Sequence, residues 1–535
     1  MRLKLVFTLL LFFILSCQKQ KDFTTPLLQF LPQNASVIIK INNLTKLKSE
    51  LKNNDFLKPL ASTTNYDHVL GRLKSLEYVQ SDTTGILAFT EIDSLKSEFI
   101  YTSLKPLSFI NSTEEKSTTV EAVTFQGRTY NRYEIEQSTF FSIELDEHII
   151  LGSSLNLIDS TINNSSQTEI DPILNSLFQT SNIDKAASVY LNLEQSNWMD
   201  DYILKKDATI QFSGFADWVT FDIEPSQDYL QLNGISIADD FTKNFLSLFK
   251  NTRPSPGDLS MKMPANTDAF ISFSFDNYDV FSQNQKEYLG AAFKRDSVFN
   301  TVEEIGVLFI ENKKAVILGT YGAENITRFL EDKSSNNSIY MGRETFELSS
   351  NNFLYDYFNP MLKDFKARYY TILDNTFIFS EEPEVIQGII QANSSGTTFD
   401  KSMLYETSRN VLADESSIVF MANKKGMEEI LKMHCTRELF TDFNKTTASD
   451  YIFAGQIVAD ANFYHTNIII QKKYREKVRN SISALFRVEL DSDLATNPQF
   501  VKNHRTNKKE IVVQDQENNL YLISTKGKIL WKKQL

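Results

Sequence analysis

The feature that most limits what this chain can fold into is repetition at long range. Gly85-Ile86-Leu87-Ala88-Phe89 is echoed by Gly306-Val307-Leu308-Phe309-Ile310, 221 positions later. LPQNASVIIKINNLTKL, from Leu31, has a counterpart in MPANTDAFISFSFDNYDVF, from Met263. TFFSIELDEHIILGSSLNLIDSTI, from Thr139, parallels YYTILDNTFIFSEEPEVIQGII, from Tyr369, and their second strands, at Ile149 and Ile378, lie 229 residues apart. KAASVYLNLEQSNWMDDYI, from Lys185, matches DESSIVFMANKKGMEEILK, from Asp414. Four matches in one order at nearly one offset are the signature of a duplicated unit. Two copies of one pattern predict two lobes of one design.

Within each copy, short alternating strands are joined by polar turns and followed by amphipathic helices. Helices are expected to begin near Thr45, Asn197, Tyr278 and Lys424, each after a lead strand. Acidic hairpin turns are expected at Asp146 and Asp374. Strands are expected over 220–224, 229–232 and 464–470. Paired strands with one face under helices make an α+β fold of mainly antiparallel sheet, without the β-α-β rhythm of a doubly wound fold. The Leu31, Lys185, Met263 and Asp414 regions share a strand-then-helix outline, so each half is itself read as two related lobes. Three prolines and a glycine interrupt the pattern in NTRPSPGDLSMKMP, residues 251–264. The first half then covers 27–255 and the second 262–490.

The amino terminus, MRLKLVFTLLLFFILSCQKQKDF, has a basic start at Arg2 and Lys4 and an apolar run from Leu5 to Leu15. That run is short of the roughly 20 residues of a membrane-spanning helix and has the length of a signal peptide. Ile14-Leu15-Ser16-Cys17 resembles the processing site of bacterial lipoproteins. The resemblance implies a signal peptide over 1–16, cleavage between Ser16 and Cys17, and acyl chains on the sulfur and amine of Cys17, with residues 17–26 as tether. Membrane lipid is then a partner through acylated Cys17. Gln18 in place of Asp implies the outer membrane of a Gram-negative cell, and the Lys-, Asn-, Ile- and Phe-rich composition resembles the Bacteroidetes. The duplicated body resembles a loose class of large bacterial envelope proteins, from which no active residues carry over.

Cys435 is the second of two cysteines, so acylation of Cys17 leaves no intrachain disulfide and the fold must rest on a large core. A net charge of −13 argues against nucleic acid as a partner. His68, His148, His434, His465 and His504 have no metal-ligand spacing, and no cofactor or metal is called for. His434 beside Cys435 invites a nucleophile-and-base reading. Neighbours on a helix point about 100° apart, which favours a buried thiol beside a surface histidine. His148, after Asp146 and Glu147, is expected to face solvent in a turn. The acidic pairs Asp200-Asp201, Asp239-Asp240 and Glu381-Glu382 read as element ends, and residues 515–519, DQENN, as a tight turn. No catalytic residue emerges. The reading is a non-catalytic binding or scaffolding role toward an envelope protein or glycan. The alternatives are an envelope hydrolase with an unrecognised site, or a carrier of a small ligand between the two halves, which predicts a concave pocket there.

The last residues, Lys508 to Leu535, read as strand, polar turn, strand, glycine turn and strand. Leu520, Tyr521, Leu522, Gly527, Ile529, Leu530 and Trp531 resemble one blade of the quinoprotein-like β-propeller family. Because a propeller has typically 4–8 blades, 508–535 is expected either to pack on the second half as an added sheet or to open a propeller that continues past Leu535.

Overall fold

The computed structural model describes residues 27–52, 74–93, 96–109, 118–135, 138–166, 169–208, 210–226, 228–238, 243–350, 352–363, 365–446, 451–473, 488, 490–492, 494–504, 509–524 and 527–535. Two compact units divide at Lys473 and Tyr474.

The duplication is plain in the first unit. Its first half runs β1 (Ala35–Ile41), α1 (Leu44–Lys52), β2 (Val79–Gln80), β3 (Gly85–Asp93), β4 (Lys96–Leu104), β5 (Ser108–Phe109), β6 (Thr118–Phe125), β7 (Arg128–Ile135), β8 (Ser138–Leu145), β9 (His148–Gly152), α2 (Leu155–Asn164), α3 (Pro172–Thr180), β10 (Ala187–Asn192), α4 (Asn197–Ile203), β11 (Trp218–Pro225) and β12 (Tyr229–Ile237). The second half runs β13 (Ala269–Ser274), α5 (Tyr278–Leu289), β14 (Val302–Ile310), β15 (Lys313–Thr320), α6 (Glu324–Glu331), β16 (Ser334–Tyr340), β17 (Arg343–Leu348), α7 (Phe353–Phe358), β18 (Tyr369–Leu373), β19 (Thr376–Ser380), α8 (Pro383–Ser395), α9 (Met403–Arg409), β20 (Ile418–Asn423), α10 (Lys424–His434), α11 (Arg437–Lys445), β21 (Tyr451–Ala459) and β22 (Tyr464–Lys472). Apart from the small β2–β5 pair and the added α6, α7 and α11, the two lists correspond element by element.

Twenty of these strands form one sheet in which every described pairing is antiparallel. Outward from the centre the first half is ordered β12, β11, β10, β1, β3, β4, β9, β8, β7, β6. The second is ordered β22, β21, β20, β13, β14, β15, β19, β18, β17, β16. The halves are thus two arms of one sheet, joined where β12 pairs with β22 from Tyr229 opposite Gln471 to Ser236 opposite Tyr464.

Local chemistry explains the matching elements. The hairpin turns place Asp146 at φ 47° and Asp374 at φ 58°, a left-handed conformation that short polar side chains tolerate. Four helices after lead strands begin at Leu44, Asn197, Tyr278 and Lys424. Asn277 and Asn423 cap two of them by accepting backbone N–H bonds from the first turn. Gly426 lies where a Cβ would stand 2.2 Å from the Asp268 carbonyl oxygen, so only glycine lets α10 start this close to β13.

One face of the sheet carries α3 in the first half and α8 with α9 in the second. There Phe178 stacks on Tyr190 at 4.3 Å, and Ile386, Ile389 and Ile390 bury against Ile317 and Ile378. Lys40, buried in β1, donates to the Phe178 carbonyl oxygen and the Ser181 hydroxyl at the end of α3, a favourable place for a cation. The opposite face holds a large aromatic core in which Phe275 and Phe281 stack at 4.3 Å. Phe245, Leu246, Leu248 and Phe249, although N-terminal to the proline-rich stretch, bury in this core beside Phe273 of the second half and Phe215 of the first, so the connection packs against both.

The residues from Tyr474 onward form the second unit. Its sheet is a meander of four strands, β23 (Gln499–Lys502), β24 (Lys509–Gln514), β25 (Asn519–Ile523) and β26 (Ile529–Gln534). The two hairpins expected from 508 onward are joined in one antiparallel sheet by a further strand, Gln499–Lys502. Asp515 organises the tight turn of DQENN. Its buried carboxylate accepts the Asn519 backbone and side-chain N–H groups and the Tyr521 hydroxyl.

The connection between halves is fastened by a buried carboxylate. Glu304 of β14 accepts the Asp258 backbone N–H at 3.0 Å and the Ser272 hydroxyl. Burial pushes its pKa from 4.5 up to about 7. A folded-state pKa above the unfolded value means the group's contribution to stability is complete below pH 4.5 and is lost as pH rises through about 7. Thermal unfolding followed by circular dichroism should show the wild type losing stability across that window relative to Glu304→Gln. Parallel pH profiles for the two proteins would contradict the assignment.

Candidate functional site

Ser16 and Cys17 lie outside the described residues, as do His68 and Asp239-Asp240. The other candidates are held in structural roles. Cys435 is buried, and burial pushes its thiol pKa up, away from the thiolate a nucleophile needs. His434 is half-buried at the end of α10 rather than on the surface, because the chain from the first half crosses over it: its carbonyl oxygen accepts the Lys205 N–H at 2.8 Å. His148 opens β9 and is not a solvent-facing turn residue. Its ring lies 5.1 Å from that of Phe30, and burial lowers its pKa. Asp200 accepts the Ser213 hydroxyl at 2.7 Å and backbone N–H groups of Phe212 and Ser213. Glu382 pairs with Lys313. These groups do not converge on one point.

What the fold does bring together is apolar. The chain after α4 crosses from the first half to the second. Leu204 bridges Cys435 in antiparallel fashion, and the Thr436 N–H donates to the Ile203 carbonyl oxygen at 2.9 Å. Thr436 Oγ1 donates to the Tyr202 carbonyl oxygen and Lys205 Nζ to that of Lys432, so the ends of the corresponding helices α4 and α10 are tied together. The segment that follows α4 is pinned by Asp200 through Phe212 and Ser213.

Between this roof and the sheet lies a cavity of about 510 Å³. Its floor follows from the register. Leu191 is opposite Val219, Ile468 opposite Gly455, Thr466 opposite Ile457, Ile470 opposite Phe453, and Gly455 opposite Phe420, so all of these lie on one face. Met199, Leu204, Ile210, Phe212, Phe215 and Phe221 from the first half and Met427 from the second also line it. The few polar residues are turned to other work. Gln456 is bonded to the Ala413 N–H and to the Ala413 and Glu415 carbonyl oxygens, and Thr466 Oγ1 to Ser236 Oγ at 2.8 Å.

Two residues mark the floor as open space. Ile468, on the strand at the very centre of the sheet, is 36% exposed. Gly455, in the middle of β21, presents no side chain. A Cβ there would meet nothing nearer than the Asn467 carbonyl oxygen at 3.6 Å. On the other face of the same strands, alternation places Asp222, Asn233, His465 and Asn467 around a polar cleft of about 300 Å³. The junction therefore separates an apolar compartment from a polar one.

A further cavity of about 220 Å³ adjoins the apolar one. Ile210 lines both, and their floors are neighbouring strands, with Ile271 and Phe273 of β13 opposite Phe420 and Ile418 of β20.

The cavity was not visible as such in the sequence, since a pocket-lining apolar residue and a core residue look the same there. The usable signal was YIFAGQIVA, a strand apolar on both faces with a glycine at its centre.

No protein-family model matches this chain, and no curated protein matches it. Among solved structures, crystal forms I and III of TP0453 align over 43% of this chain and 88% of theirs, at 11% and 10% identity, with TM-scores of 0.25 and 0.24. Likeness at that level carries no weight for fold or function.

Proposed function

We propose that this chain is a lipid-anchored envelope protein whose duplicated body binds an apolar ligand between its two halves, without catalysis. The observation that carries the proposal is the apolar cavity at the join. Its volume falls within the roughly 300–1,000 Å³ usual for small-molecule sites, and it is walled by side chains from both copies. Each methylene moved from water into such a space contributes roughly 0.8 kcal/mol, so hydrocarbon is the chemistry it rewards. No nucleophile, acid pair or metal-ligand group faces it among the described residues, which supports binding over turnover.

The anchor is proposed on Ser16-Cys17 and the apolar segment before them. Metabolic labelling with a fatty-acid analogue should mark the wild type and leave Cys17→Ala unlabelled. Label persisting on the variant would rule the anchor out.

Gly455→Leu tests the cavity. The Cβ is tolerated where it stands, and the remaining side chain projects into the space a ligand would fill. Titration with Nile red, a neutral apolar dye, should give saturable fluorescence enhancement in the wild type and at least about a ten-fold weaker affinity in the variant, a loss of some 1.4 kcal/mol. The unfolding midpoint should be little changed. Equal dye binding by the two proteins would refute the site.

A further inference from the structure

The cleft on the polar face of the join is where a row of polar side chains in register crosses the sheet. Ser188 of β10 lies opposite Asp222 of β11, Asp222 opposite Asn233 of β12, Asn233 opposite Asn467 of β22, and Asn467 opposite Gln456 of β21. Residues directly opposite one another share a face, so the row runs unbroken from one half into the other. Its outer members are satisfied within the protein. Asp222 accepts the Ser188 hydroxyl through Oδ1 and, at 3.4 Å, the Asn182 N–H through Oδ2. Gln456 is bonded to the chain that follows α9, at Ala413 and Glu415.

The middle pair is not. Asn467 makes no side-chain hydrogen bond to the described residues, and Asn233 uses only its Oδ1, which accepts Gln231 Nε2 at 3.0 Å. Both are half-buried. Side chains directly opposite on paired strands have Cβ atoms about 5 Å apart, so the two carboxamides stand side by side, each with two donors and an acceptor to offer. Thr220 beside them is spent on the backbone, its Oγ1 accepting the Ile235 N–H and donating to the Ile235 carbonyl oxygen. The Ile235 side chain gives the cleft an apolar patch, and the exposed His465 ring stands perpendicular to Phe463 at 4.9 Å. No Lys or Arg lines the cleft, so an anion would meet the Asp222 carboxylate and no counter-charge in its wall.

We infer that this cleft is a second ligand site, for a neutral saccharide unit. Its ring hydroxyls bond to the amides of Asn233 and Asn467 and to the Asp222 carboxylate, and its C–H face lies toward Ile235 and the His465 ring. A hydroxyl both donates and accepts, as the carboxamides do, and about 300 Å³ is at the small end of the range for ligand sites, suited to one sugar ring. The site does not rest on the apolar-binding proposal above. Gly455 and Ile468 face one side of the sheet, and Gln456 and Asn467 the other.

The full chain should be titrated with the methyl glycosides of glucose, galactose and mannose, with binding read by saturation-transfer difference NMR. At least one should bind saturably. Asn467→Ala removes a side chain that holds nothing among the described residues, so the unfolding midpoint should stay as in the wild type while glycoside affinity falls about five-fold, the loss of one hydrogen bond. The doubly substituted Asn233→Ala, Asn467→Ala protein should bind more than about ten-fold more weakly than the wild type. Gly455→Leu, on the other face, should leave glycoside binding unchanged. Binding of none of the three glycosides, or binding untouched by the double substitution, would overturn the saccharide site. Weakening by Gly455→Leu as large as that by Asn467→Ala would overturn it as well, because it would put the sugar on the apolar face.

Discussion

The interaction on which the body depends is the antiparallel ladder between β12 and β22. Each is the last strand of its half, and each would otherwise be an open edge with a row of unpaired backbone groups. Pairing them closes both edges at once and makes one sheet of two copies. The centre of the ladder sets Asn233 opposite Asn467, and Ser236 Oγ meets Thr466 Oγ1 at 2.8 Å on the cavity face. The outer edges are managed differently. β16 reads SSNNSIY and is largely exposed, a polar strand with little to offer a hydrophobic neighbour. The inner edges, YLQLNGISI and YHTNIIIQK, mix apolar with polar residues and are paired along their length.

Once the halves share a sheet, the cavity follows from the same arrangement. In each copy a short helix follows the strand that corresponds to β10 or β20 and runs over the sheet toward the join. The two helices end near each other and are tied by the Leu204–Cys435 bridge. A roof suspended between two helix ends cannot follow the sheet closely everywhere, and the floor at Gly455 has no side chain to rise and meet it. Apolar residues come to this spot from both copies. The buried Cys435 is thereby explained as part of the strap, with its thiol held neutral by burial.

Much of the architecture was legible in the sequence for local reasons. Helix starts at Tyr278 and Lys424 are fixed by the capping Asn277 and Asn423, and the turns at Asp146 and Asp374 by the left-handed conformation those residues accept. Duplication was legible because it repeats these local signals at one offset. The fusion of the halves was not, since the register of Tyr229 to Ser236 against β22 spans more than 200 residues of chain and leaves no local mark. Nor was the strand at Gln499, whose four residues QFVK are too few for a pattern. The candidate site was least legible of all: His434 and Cys435 drew attention by chemical identity, whereas Phe212, Phe215 and Ile468 matter only through what lies opposite them.

The central claim is that the join of the two copies holds room for hydrocarbon. The most direct measurement is a crystal structure of the full chain grown with a brominated alkane, with the bromine located by anomalous scattering. The account predicts bromine density above Gly455, between Phe221 and Phe420 and beneath Phe212. A structure in which that space is filled by the protein's own side chains, or in which bromine is found only elsewhere, would contradict it.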